Sequence, residues 1–196
     1  MTTANKVTIF RILLIPFFVV EVLYYNKTGN ELHRLFAILP FTVASILDSV
    51  DGYIARRYNQ RSELGAMLDP LADKLLLVSG VILFSLESPR LGSLPVWLSG
   101  TIIGRDVLLL IGFFVIQLMV GKVKVLPRFS GKLATVLQMI CVIWILLKLE
   151  HWLNDTWFTV LNAAAAVFTG VSGLLYVYDG VKQLSSHPTS LAAPPR

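Results

Sequence analysis

Asp48-Ser49-Val50-Asp51-Gly52-Tyr53-Ile54-Ala55-Arg56, then eight residues, then Gly65-Ala66-Met67-Leu68-Asp69-Pro70-Leu71-Ala72-Asp73 is the stretch on which the reading of this chain turns. Four aspartates, in a chain with 12 acids, stand at its quoted positions, and the sequence on both sides is strongly apolar. Acids at or inside a membrane are costly and need partners, so a functional site is the default reading. The spacing sharpens that reading. Positions 48, 51, 52 and 55 follow i, i+3, i+4, i+7 and share one face of a helix. Positions 65, 69 and 73 follow i, i+4, i+8 and share a face of a second helix. Two helical faces, each with two carboxylates and a small residue, suit a shared cation site.

Working outward, the composition bounds the class. The chain has 196 residues, 55% hydrophobic and only 15% charged, with a mean hydropathy of +0.70. Soluble domains carry nearer 25% charge. The expectation is an all-α integral membrane protein with one domain over 1–184 and a disordered tail over 185–196. The net charge of +5 is read as topology-setting and headgroup-facing charge in a lipid bilayer, not as a nucleic-acid surface. The single Cys141 lies in an apolar run and reads as a small core hydrophobe. Lys6, Arg11 and Pro16 around the first apolar run, with no small-residue cleavage site after it, make that run a retained span.

Six apolar segments are each long enough to cross a core of ~30 Å. They are expected at about 8–25, 34–57, 69–86, 95–120, 131–149 and 156–180. Lys and Arg set the orientation. Lys6, Arg11, Arg56, Arg57, Arg61, Lys74, Lys122, Lys124, Arg128, Lys132, Lys182 and Arg196 fall on one side, and Lys27, Arg34, Arg90 and Lys148 on the other. The positive-inside rule then puts both termini and the carboxylate stretch on the cytoplasmic side. Asp48 precedes Arg57 by nine residues, so it is expected ~14 Å deep along a continuous helix. Arg105 is left near the middle of the fourth span.

At these residues the chain resembles a known family. The stretch is similar to the signature of the CDP-alcohol phosphotransferase (CDP-alcohol phosphatidyltransferase) family, D-x2-D-G-x2-A-R-x8-G-x3-D-x3-D. It matches at Asp48, Asp51, Gly52, Ala55, Arg56, Gly65, Asp69 and Asp73. Asn5 to Arg11, Leu68 to Lys74, Arg105-Asp106-Val107 and Gly131 to Gln138 resemble the branch that holds phosphatidylglycerophosphate synthases and cardiolipin synthases. The resemblance implies a phosphatidyltransferase of bacterial inner-membrane type. It would take CDP-diacylglycerol as donor, release CMP and depend on two Mg2+ or Mn2+ ions. Glycerol 3-phosphate is the expected acceptor, with phosphatidylglycerol, as in cardiolipin synthesis, as the rival. A homodimer is in keeping with the family.

The resemblance also implies roles. Asp48, Asp51, Asp69 and Asp73 would hold the metal, and Asp73 would also act as general base. Asp48, Gly52, Ala55, Arg56, Gly65 and Thr8 would line the CDP pocket, with Arg11 beside Thr8. The chemistry is coherent: hard divalent cations take carboxylate oxygens and bridge phosphates, and a residue without Cβ admits a close approach to the helix. Gly52 and Gly65 equally suit close helix packing. Arg105 and Lys132 are candidates for the acceptor phosphate. The competing readings are an ion pair of Arg105 with Asp106 and snorkelling of Lys132 to headgroups. His33 and His151 read as interfacial residues without a ligand-like neighbour, and His187 as part of the tail. A cation transporter would also use intramembrane acids, but should spread them over several broken helices of repeated halves, and no repeat is present.

Overall fold

The computed structural model describes residues 3–58, 63–86, 88, 90–120, 129–149 and 152–185. Within these, side chains are described outside 3–8, 48–58, 63–73, 113, 117–120 and 183–185. Among the described residues the secondary structure is helical throughout. The six helices are α1 (Thr3–Thr28), α2 (Glu31–Tyr58), α3 (Glu63–Ser85), α4 (Val96–Val120), α5 (Phe129–Leu146) and α6 (Asp155–Ser185). Each expected apolar segment is a helix. The expected tail lies outside the described residues after Ser185.

Local chemistry explains the boundaries. α1 ends at Gly29, whose φ of 73° lets its N–H reach back to Tyr25 O at 2.8 Å, the left-handed cap that glycine adopts without strain. Asn30 then caps α2, its Oδ1 accepting from Leu32 N at 3.1 Å. Beyond α5, Lys148 takes a left-handed φ of 52°, which ends the helix three residues before the expected limit.

Ile9–Thr28, Val96–Ile116, Phe129–Leu146 and Asp155–Lys182 are long and apolar enough to cross a membrane, and Lys74–Ser85 is a shorter apolar helix. Large apolar side chains point outward along the bundle. Leu13, Phe17, Leu35, Leu39, Leu108 and Leu174 are all exposed. A water-soluble protein does not carry so much contiguous apolar surface. The protein is an all-helical integral membrane protein. Four helices meet the length and composition for a crossing among the described residues, against the six expected.

The chain divides into two compact units. One comprises Met1–Pro95 with Met139–Thr159, the other Val96–Gln138 with Val160–Arg196. In the first, α1 packs on α2 and α3 through Phe18, Val22, Phe41, Ala44, Leu77 and Val81, all buried. Phe18 and Phe41 rings meet at 5.4 Å. A Cβ on Gly80 would lie 3.3 Å from Val142, so the glycine lets α5 approach α3 closely. In the second unit the core is mixed. Leu98, Ile102, Ala134 and Ala165 are buried beside Arg105, Asp106, Gln138, Thr169 and Ser172.

Candidate active site

The motif lies on α2 and α3, both in the first unit. The backbone at Asp48, Asp51, Gly52, Ala55, Arg56, Gly65, Asp69 and Asp73 is helical, and so is that at Thr8 on α1. Their side chains lie outside the described ones. Helical register still locates the positions. On α2, Ala37, Phe41 and Ala44 are buried, and continuing their 4, 3 spacing reaches 48, 51 and 55. On α3, Leu77, Gly80, Val81 and Phe84 are buried, and stepping back from Leu77 by fours reaches 73 and 69. The carboxylate positions therefore extend the stripes that already form the core of this unit.

The same register brings in the first helix. Tyr25 Oη donates to Glu31 Oε1 at 3.1 Å, and Phe18 meets Phe41, so α1 and α2 run antiparallel. Two further turns along α1 lead from Phe18 to Arg11, and the matching step along α2 leads to the level of Asp48. α1 and α3 share a groove lined by Ile12, Ile15 and Pro16 from one and Leu75, Val78 and Ile82 from the other. The segment around Arg11 therefore runs beside the segment that follows Asp73. Arg11 is 1% exposed. A guanidinium buried at that depth in an apolar helix calls for negative charge nearby, and the carboxylate level is where the register puts it.

Arg105 and Lys132 belong to the second unit. Arg105 is 6% exposed. Its Nη1 donates to Asp106 Oδ1 at 2.8 Å and its Nη2 to Ser172 Oγ at 3.1 Å. The ring of Tyr176 lies 5.9 Å from its Cζ. Its Nε has no partner among the described residues. A Cβ at Gly131 would sit 3.4 Å from Arg105 Nη2 and 3.2 Å from Tyr176 Oη, so α5 passes close to the guanidinium. The ion pair with Asp106 is thus formed, whatever further contact Arg105 makes. Lys132 is exposed on the first turn of α5.

Sequence reasoning missed a second polar cluster in the first unit. His33 Nδ1 and Glu21 Oε2 are 2.7 Å apart, and the His33 ring stacks on Tyr24 at 5.4 Å, so this histidine does have a ligand-like neighbour. The two are twelve residues apart, and no local pattern signals the pairing. Around them, Arg34 contacts Glu31 at 2.6 Å and Lys148 contacts it at 3.5 Å. Arg90 Nη1 donates to the Asn26 carbonyl. Arg34, Arg90 and Lys148, three of the four basic residues grouped by the topology argument, therefore gather around the α1–α2 turn. Partial desolvation opposes ionisation of Glu31, but Tyr25, Arg34 and Lys148 outweigh it and hold its carboxyl below the ordinary range. The Tyr25 hydroxyl and then Glu31 raise Lys148 above the usual lysine range against partial desolvation. Among the described residues, no three His, Cys, Asp or Glu side chains come together to hold a metal ion. The four aspartates of the motif lie outside that set.

The family model for CDP-alcohol phosphatidyltransferase matches residues 1–172. The chain belongs to the CDP-alcohol phosphatidyltransferase family. It is similar to a probable phosphatidylglycerophosphate synthase of Mycobacterium tuberculosis, 33% identical over 182 residues, which are 92% of this chain and 82% of that one. It is equally similar to a CDP-diacylglycerol--glycerol-3-phosphate 3-phosphatidyltransferase of Escherichia coli K12, 33% identical over 171 residues, 87% of this chain and 90% of that one. Members of the CDP-alcohol phosphatidyltransferase family are transferases, and this chain is one. The match spans both units, so Arg105 and Lys132 fall inside the family region together with the carboxylate stretch.

Proposed function

We propose that this enzyme moves the phosphatidyl group of CDP-diacylglycerol onto glycerol 3-phosphate, forming phosphatidylglycerophosphate and CMP. The observation that carries this reading is the activity for which the Mycobacterium tuberculosis and Escherichia coli relatives are named, each aligned over most of both chains. The eight motif positions on α2 and α3 support it. The acceptor hydroxyl gives its proton to the Asp73 carboxylate as its oxygen bonds to the phosphorus that carries the diacylglycerol. The bond from that phosphorus to the bridging oxygen breaks, and CMP leaves with that oxygen.

Asp48, Asp51, Asp69 and Asp73 are the residues that would hold the divalent cations, Mg2+ or Mn2+. Four carboxylate positions on the inward stripes of two adjoining helices are a donor set that such hard cations favour. Bound there, the cations would neutralise the charge of the donor's diphosphate. Thr8, Gly52, Ala55, Arg56 and Gly65 would line the CDP pocket. Arg105 and Lys132 are proposed to supply positive charge for the acceptor's phosphate. Lys132 is exposed, whereas Arg105 is already engaged by Asp106 and Ser172. The enzyme would sit in the membrane on six spans with its termini and carboxylates facing the cytoplasm, and it would act as a homodimer.

The test is an acceptor assay with purified protein, CDP-diacylglycerol and Mg2+ or Mn2+. Glycerol 3-phosphate should give phosphatidylglycerophosphate with one CMP released per product. Cardiolipin made from phosphatidylglycerol as the sole product would overturn the choice of acceptor. In the same assay Lys132→Ala should raise the KM for glycerol 3-phosphate about ten-fold, equivalent to ~1.4 kcal/mol, and leave the donor KM nearly unchanged.

A further inference from the structure

We propose that the groove between α1 and α3 is the seat of one acyl chain of the phosphatidyl donor, an inference that rests on the reaction proposed above. The groove encloses about 360 Å3. Ile12, Ile15 and Pro16 form one wall, and Leu75, Val78 and Ile82 form the other. Ser79 also lines it, but its Oγ donates to Leu76 O at 2.8 Å, so no unsatisfied hydroxyl faces the groove. Every other lining side chain is hydrocarbon. Leu75 and Ile82 are half-exposed along its rim, and both helices present apolar outer faces there. The groove therefore opens to lipid.

Position singles this groove out for the donor. One end begins at Leu75, two residues beyond Asp73 on the same helix, and at Ile12, the residue after Arg11. The other end lies at Ile82, about 10 Å further along α3 at the rise of a helix. A phosphatidyl group whose phosphorus reacts at the carboxylate level has its glycerol a few bonds away. One of its chains must then leave along the helices that bear the carboxylates. The groove starts at that level and runs away from it in the direction of the bilayer interior. A chain taken from surrounding lipid gains little from the hydrophobic effect, because lipid tails are already apolar. What the groove contributes is packing and a fixed exit path for the reacting phosphate. The expected effect of blocking it is therefore moderate and confined to donors long enough to enter it.

The test fills the groove. Val78→Trp and Ile15→Trp, each in otherwise unaltered full-length protein, should raise the KM for a dioleoyl donor about five-fold or more. With a donor carrying four-carbon chains the same variants should stay within two-fold of the wild type, and the KM for glycerol 3-phosphate should not move. Equal losses with both donors would mean a packing defect and overturn the proposal, as would wild-type kinetics with both. A CDP-diacylglycerol with a mid-chain diazirine should label residues 12–16 or 78–82, and unlabelled CDP-diacylglycerol should suppress the labelling. Equal labelling by a diazirine phosphatidylcholine would show boundary lipid only and overturn it. If wild-type protein turns over neither donor, the reaction proposed above is what has failed.

Discussion

The two compact units differ in how many polar groups their described cores bury. In the second unit several are buried and some pair across helices. Arg105 holds Asp106 and Ser172, and Gln138 Nε2 donates to Thr169 Oγ1 at 2.7 Å, so α4, α5 and α6 are tied by side chains within their own core. In the first unit the described core is hydrocarbon from Phe18 to Phe84, apart from Arg11 at its edge. Four of its acids are the aspartates of the motif stretch. Polar groups that pair within the fold specify packing. Four acids at helical spacing on two adjoining helices are the pattern that the proposed cation site requires. The comparison teaches where to look for chemistry: in the unit that carries the motif, whose described core is otherwise apolar.

The largest effects should come from the first unit and should be catalytic. Asp73→Asn and Asp48→Asn are each expected to lower CMP release at least ~100-fold while leaving thermal unfolding in detergent within a few degrees of the wild type. Wild-type turnover in both variants would break the assignment of the motif. Next in size is Arg105→Met, which leaves Asp106 buried without its guanidinium. It should cost about 3–5 kcal/mol of stability, and adding Asp106→Leu should restore more than half of that. A stable Arg105→Met protein with a raised KM for glycerol 3-phosphate would leave Arg105 its proposed contact with the acceptor alone and blur the contrast between the units.

Smaller changes sharpen the packing side. A Cβ at Gly131 would press on Tyr176, Ser172 and Arg105, whereas one at Gly104 meets nothing within 4 Å. Gly131→Ala should therefore destabilise by about 1–3 kcal/mol. Gly104→Ala should be neutral or slightly stabilising, by up to ~1 kcal/mol. Thermal scans of the two variants side by side decide the matter, and equal destabilisation would refute the close approach at Gly131. The smallest effect belongs to the turn between α1 and α2. Glu31 is held below its ordinary pKa, so its contribution is present above the ordinary carboxylate range and is lost as pH falls through the lowered value. Lys148 is raised, so its share is present below the ordinary lysine pKa and is lost as pH rises through the raised one. Stability should be flat through neutral pH, and Glu31→Gln should flatten the acid limb. An acid limb unchanged in that variant would remove Glu31 from the account.

Much of this was legible in the sequence, for a physical reason. Helix positions follow from the apolar runs, each of which is a helix. The carboxylate faces were legible because helical periodicity is a local property that needs no partner. The pairing of His33 with Glu21 was not, since it depends on two helices folding back at a turn whose register the local sequence does not encode. Nor was the tie between Gln138 and Thr169, separated by 31 residues. The span count belongs to the first kind: hydropathy proposed six crossings, and four helices meet the length and composition for one among the described residues.

The sequence by itself determined an all-helical membrane chain and two stripes of carboxylates, because hydropathy and a period of 3.6 residues act over a few turns. Only the tertiary structure decided that Arg105 is held by Asp106 and by Ser172, 67 residues away. The tertiary structure also decided that Arg11 is buried level with Asp48 and that α1 and α3 leave a groove beside Asp73. Each of these depends on which helices touch and in what register. That choice is made by side-chain packing across distant segments, and no single segment of the sequence contains it.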